Sequence, residues 1–310
     1  MSYRQSAQDI NPVWFMPYDM LTLRYLYGKT NYEAGNNTYR YTDVDGRYVS
    51  NIVDDGGLDT LDFSAVTVGA MINLTPGAYS SVGKIAAGAN ALANLATSFD
   101  AVIENVIGTA AADTMLGNAA NNSFTGGGGD DLIDGAAGVD MATYSGSRAA
   151  YTLTLGGGGA IVRGGSEGTD TLTNVERLQF ADAKLALDLG GSAGRVAKLL
   201  GAVFGPASVA NKQYVGIGLS LLDSGTTYEQ LAALAVNATG TTSHPGVVNL
   251  LWSNLFGSAP TTEQAAPYVA MLGGGSISVG ALTVLAADLD LNASRIDLMG
   301  LTSTGLEYGP

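Results

Sequence analysis

GTAAADTML, GNAANNSFT, GGGGDDLID, GAAGVDMAT: residues 108–143 fall into four consecutive nonapeptides. Position one is Gly108, Gly117, Gly126 and Gly135. Position six is Asp113, Asn122, Asp131 and Asp140, and position eight is Met115, Phe124, Ile133 and Ala142. The pattern is the G-G-x-G-x-D-x-U-x repeat of a parallel β-coil. The first six residues make a turn, whose glycines permit positive φ and close stacking. The last three make a short strand whose apolar residue at position eight points into the core. Two repeats complete one coil, so turns on the same side lie two repeats apart. Asp113 then faces Asp131, and Asn122 faces Asp140, each pair across one Ca²⁺. Turn carbonyls, those of Gly126, Gly128 and Gly135 among them, complete the shell. An oxygen-rich, sulfur-free ligand set favours such a hard cation. A Gly-rich flexible linker is the competing reading, but a linker has no reason to keep an apolar residue at a fixed offset from an acid. Ala110, Ala111, Ala119 and Ala120 replace turn glycines, which makes the first coil the weaker binder.

Charge follows the repeats outward. The 310 residues carry 14 Lys+Arg against 28 Asp+Glu, a formal charge of −14, and residues 51–150 hold two basic and eleven acidic groups. So acidic a chain lacks the basic patches that nucleic acids and anionic membranes require. Cysteine is absent, which excludes disulfides and thiolate metal sites, and the single histidine, His244, excludes any site needing two imidazoles. No run of 18 apolar residues suggests a membrane span. The N-terminal MSYRQSAQDI lacks a basic start followed by an apolar stretch. Export, if it occurs, is therefore expected without a cleaved N-terminal signal peptide.

The nonapeptides resemble the RTX calcium-binding motif of proteins exported by bacterial type I secretion. DDGGLDTLDFSAV at 54–66, INLTPGAYSSVG at 72–83 and VIENVIGTAAADTMLGN at 102–118 resemble, in order and spacing, the C-terminal domain of the serralysin metalloproteases. That resemblance implies further Ca²⁺ ligands at Asp55, Gly57 and Asp59. PYDMLTLRYLYG at 17–28 is similar to the last helix of the serralysin catalytic domain, and MSY at 1–3 to its Met-turn, which would make Tyr3 a remnant zinc ligand. The family's zinc motif, H-E-x-x-H-x-x-G-x-x-H, has no counterpart here. A zinc site needs three protein ligands and an open position, so the chain reads as a serralysin-type protein beginning after its catalytic centre. No catalytic residues are assigned.

Residues 146–190 alternate apolar and polar with glycine breaks, which predicts short antiparallel strands, with a hairpin turn at Gly156 to Gly159. Asp170 and Glu176 read equally as solvated strand-end charges or as further ligands. From 191 onward Leu, Ala and Val recur at helical spacing. FGPASVANKQYVGIGLSLLDSG and LFGSAPTTEQAAPYVAMLGGG are imperfect internal copies, and the segment resembles a helical domain of unknown function found in secreted RTX proteins. Trp252 and Phe256 read as core. Gly190-Gly191-Ser192-Ala193-Gly194 matches G-x-S-x-G, but an elbow must follow a strand of a parallel α/β sheet and no βα alternation is visible.

The expected architecture is multidomain, β then α. A remnant of a catalytic-domain C-terminus spans 1–50, a parallel β-roll 51–145, a β extension 146–190 and an all-α helical domain 191–310. The expected function is a secreted, extracellular calcium-binding module, not an enzyme as it stands, that folds on Ca²⁺ and supports type I secretion, stability or surface attachment. The expected partner is the type I secretion machinery, with surface or self-association as a further role. The alternatives are the C-terminal part of a zinc metalloprotease and a surface-layer or adhesive structural protein.

Overall fold

A computed structural model describes residues 15–29 and 31–309. The Met-turn residues, Met1 and Tyr3 included, lie outside them. The chain divides into two compact units, Met1–Asp182 and Ala183–Pro310.

The first unit is rich in short parallel strands. One sheet joins Thr38–Thr42, Thr60–Ala65, Asn105–Ile107, Ser123–Thr125, Met141–Thr143 and Arg177–Gln179, all in parallel. A second joins Met71–Asn73, Thr114–Leu116, Leu132–Asp134 and Thr169–Thr173 in parallel. Successive nonapeptides therefore alternate between sheets. Within a sheet Thr114 pairs with Leu132 and Ser123 with Met141, a register of two repeats. Three-residue strands bury one side chain each, and position eight supplies it: Met115, Phe124, Ile133 and Ala142 are all buried. Ile72, Val106, Leu61, Leu172 and Leu178 extend the same dry interior along the coil.

The extension forms a hairpin, Tyr151–Gly156 with Gly159–Gly164, which turns at Gly157 and Gly158, both at positive φ. Its second strand pairs antiparallel with Thr169–Thr173, and that strand runs parallel to Leu132–Asp134. A helix, Pro17–Tyr27, precedes the strands.

Among its described residues the second unit contains eight α-helices: Ser192–Phe204, Lys212–Asp223, Tyr228–Ala238, His244–Phe256, Thr262–Gly273, Val279–Ala287, Asp290–Arg295 and Leu298–Thr304. Thr227 and Thr261 cap their helices by accepting from the backbone N–H groups of Gln230 and Gln264, which return the bond as capping boxes. Val196, Ala197, Val215, Val236, Val247 and Leu251 form part of one core. Trp252 and Phe256 depart from the expected core placement. Their rings meet tilted at 4.5 Å, but Phe256 sits at a helix end and is 47% exposed. Leu306–Tyr308 pairs antiparallel with Lys184–Ala186. No described helix is long and apolar enough to cross a membrane.

Candidate cation sites

The two-repeat register stacks the residue before each strand, or for Asp170 the second residue of its strand, over its counterpart one coil away. One column runs Ala70, Asp113, Asp131, Asp170. The other runs Asn37, Asp59, Glu104, Asn122, Asp140, Glu176. At every step but Glu104 to Asn122, a side-chain oxygen accepts from the backbone N–H of the preceding rung; at that step the Asn122 amide nitrogen donates to the Glu104 carbonyl at 3.2 Å. The first column gives Ala70 to Asp113 at 2.7 Å, Asp113 to Asp131 at 2.8 Å and Asp131 to Asp170 at 3.0 Å. The second gives Asn37 to Asp59 at 2.8 Å, Asp59 to Glu104 at 2.8 Å, Asn122 to Asp140 at 2.6 Å and Asp140 to Glu176 at 2.9 Å. Asp170 and Glu176 are thus rungs, not solvated strand ends, and Asp170 is buried.

These carboxylates sit in a dry environment. Asp59 and Asp140 are 0% exposed and Asp131 is 1% exposed. Burial pushes the Asp131 carboxyl up to about 7, aided by the charges of Asp170, Asp113 and Asp130 and opposed by the Asp113 N–H. Burial likewise lifts Asp140 to about 7, with Glu176 and Asp134 adding to it, and Asp170 to about 6. Asp59 and Glu104 are also raised, chiefly by burial. One oxygen each of Asp59, Asp131 and Asp140, the Oδ2, has no hydrogen-bond donor. A buried anionic oxygen left without a partner is costly, so each calls for a proton or a cation.

The position-one glycines let the backbone approach these oxygens closely. A Cβ on Gly126 would collide with Asp131 Oδ2. A Cβ on Gly135 would meet the Asn174 carbonyl and lie 2.6 Å from Asp140 Oδ2. Gly108 and Gly117 face the Gly126 and Gly135 carbonyls in the same way. Beside Gly128 lie the carbonyl oxygens of Ala110 and Ser166, 3.3 and 3.4 Å from where a Cβ would stand. Among the described residues no three His, Cys, Asp or Glu side chains form a group able to hold a metal. An ion here would therefore draw much of its shell from backbone carbonyls, with one or two carboxylates.

The upstream segment divides its acids. Asp55 faces Arg24 at 2.8 Å and Lys29 at 3.2 Å and accepts from the Tyr32 N–H at 2.7 Å. The Tyr32 N–H and the two cations hold its carboxyl below the usual range against the opposing effect of burial. Gly57, at positive φ, packs against the Gly35 carbonyl. The structure thus brings Asp59 together with Asp54 and Glu104, and turns Asp55 to a cationic partner. Asp54 accepts from the Tyr39 hydroxyl at 2.6 Å and from the Gly56 N–H at 2.8 Å. Sequence reading singled out neither Asp54 nor Glu104. The signal for Glu104 was its place 18 residues before Asn122, one coil earlier.

The family model described as Peptidase M10 serralysin C terminal matches residues 20–184, more than half of the chain. The chain belongs to the serralysin C-terminal family. Metallopeptidase AprA of Pseudomonas marginalis is 32% identical over 110 residues, covering 32% of this chain and 22% of that protein. Serralysin G of Dickeya chrysanthemi is 30% identical over 112 residues, with the same coverage. The match therefore spans about a fifth of each relative's length. The residues matched to the serralysin C-terminal family include every rung of both columns.

The helical unit adds no nucleophile elbow. Ser192 is the first residue of a helix, and the strand before it pairs antiparallel, so the G-x-S-x-G string lacks the parallel sheet an elbow requires. His244 is exposed at the start of its helix.

Proposed function

We propose that this chain is a calcium-folded, non-catalytic module of a secreted protein. The observation that carries it is the set of buried carboxylate oxygens on Asp59, Asp131 and Asp140 that have no donor, each beside backbone carbonyls or a second acid. Oxygen-only, mixed carboxylate and carbonyl coordination in flexible turns suits Ca²⁺ better than Mg²⁺, which demands near-ideal octahedral geometry, or zinc, which prefers nitrogen and sulfur. Bound calcium supplies the positive charge the columns lack. Asp131 and Asp170 would hold it in one column. Asp140 with Glu176 and the Asn174 carbonyl would hold it in the other, and Asp59 with Asp54 would hold it upstream.

The fold then becomes conditional on the ion, since each rung presents carboxylates that repel one another when bare. In a low-calcium cytoplasm the acidic segment stays unfolded and fits a type I secretion channel. In a calcium-rich exterior it folds. The relatives matched over about a fifth of their length are named a metallopeptidase and a serralysin. In that setting this chain is the export and folding part of a zinc protease, and it has one imidazole with which to hold zinc itself.

Isothermal titration of the chelator-stripped chain with CaCl₂ tests the proposal. Saturable binding of more than one ion, with a rise in β-structure by circular dichroism, is expected. No heat and an unchanged spectrum up to 10-fold excess over the acidic rungs would overturn it.

A further inference from the structure

The four nonapeptides are equivalent in register, yet their position-six oxygens are not equally satisfied. In the first, Thr109 donates its backbone N–H to Asp113 Oδ2 at 2.7 Å and its hydroxyl to Asp113 Oδ1 at 3.0 Å. Oδ1 also takes the Ala70 N–H. In the second, the Asn118 N–H reaches Asn122 Oδ1 at 2.9 Å. The amide nitrogen of Asn122 donates to the carbonyls of Ile103 at 3.1 Å and Glu104 at 3.2 Å, and that of Asn118 donates to Ile103 at 2.8 Å. In the third and fourth repeats, Asp131 Oδ2 and Asp140 Oδ2 have no donor.

Position two separates the pairs. Gly127 and Ala136 stand there at φ +99° and +71°, and the Ala136 N–H goes instead to Asp134. Thr109 and Asn118 are outside the left-handed region, and their N–H groups fold back onto position six. A non-glycine residue in the left-handed region is uncommon and carries a conformational cost, so Ala136 is held there by its surroundings. An amide N–H directed at a side-chain oxygen does electrostatically what a cation would do there, without an ion.

We infer that position two of each nonapeptide decides whether a rung holds an ion: Thr109 and Asn118 make the first coil self-capped and ion-free, while Gly127 and Ala136 open the second coil to calcium. The inference rests on the calcium reading above. It removes Asp113 and Asn122 from service as ligands of their own slots, and leaves them as hydrogen-bonded spacers that hold the coil together between cation-bearing rungs.

Native mass spectrometry counts the calcium ions retained by the full chain. Asn122→Ala is expected to keep the wild-type number, and Asp140→Asn to lose one. Asn118→Gly combined with Asn122→Asp, which opens position two and supplies a carboxylate, is expected to gain one. Loss of one ion from Asn122→Ala, or no gain in the double variant, would overturn the inference. The gain in the double variant cannot come from misfolding, so it stands even if a single variant folds poorly. A wild-type spectrum with no calcium is a separate outcome: it overturns the calcium reading itself, and the inference with it.

Discussion

Asp131 and Asp140 set the pH behaviour of the metal-free chain. Their carboxyls titrate near 7 in the fold against an ordinary 3.8, because burial penalises the charged form first and neighbouring acids add to it. The folded state therefore keeps protons that the unfolded state has already lost. The stabilisation is complete below the ordinary value and is lost as pH rises from about 4 to about 7. Asp43, Asp55 and Asp62 are shifted downward, so their contribution is lost below that window and not within it. Circular dichroism in chelator at pH 5 and pH 8 is expected to show the greater β-structure at pH 5; equal or greater β-structure at pH 8 would contradict the assignment. On the calcium proposal, the added ion is expected to displace those protons, with affinity rising through the same interval. Much of this chemistry was legible in the sequence, because the interval between position-one glycine and position-six acid is fixed by the turn. Which of two adjacent acids faces the column was not legible. Asp54 and Asp55 differ by one residue along the backbone, and only the fold shows Arg24 and Lys29 waiting for the second. Nor could spacing show that the Asn118 N–H folds back onto Asn122, since that depends on a backbone angle.

At the scale of the element, a three-residue strand depends on the single side chain it buries. Phe124 is fully buried at position eight of the second repeat, flanked in its sheet by Val106 and Ala142. Phe124→Ala is expected to cost about 3–5 kcal/mol by combined loss of apolar burial and an unfilled cavity. Leu132, 54% exposed on the outer face of the neighbouring sheet, offers the matched control. Leu132→Ala is expected to change stability by under about 0.5 kcal/mol, as surface substitutions usually do. Equal costs in calcium-saturated denaturation would mean that position eight does not carry the core. The strands of the repeats, the Gly157-Gly158 hairpin and the long helices were readable because each follows a local period or turn signal. The pairing of Leu306–Tyr308 with Lys184–Ala186 was not, since two three-residue strands about 120 residues apart carry no period of their own. The half-exposed Phe256 escaped for a related reason: an i, i+4 pair shows which face of a helix is apolar, but not where the partner helix ends.

Across the whole molecule the two units differ in what stabilises them. The helical unit buries aliphatic side chains such as Val196, Leu219 and Val247 and closes its helices with side-chain caps, so its own core suffices. The strand-rich unit has thin layers and two columns of buried acids. Its stability is tied to whatever neutralises them. Hydrogen exchange followed by mass spectrometry, with the chain in millimolar calcium and in chelator at pH 7.5, tests that difference most directly. The account predicts that amides of residues 105–143 are protected in calcium and exchange within seconds in chelator, while those of the helices between 192 and 287 remain protected in both. Equal protection of residues 105–143 with and without calcium would contradict it.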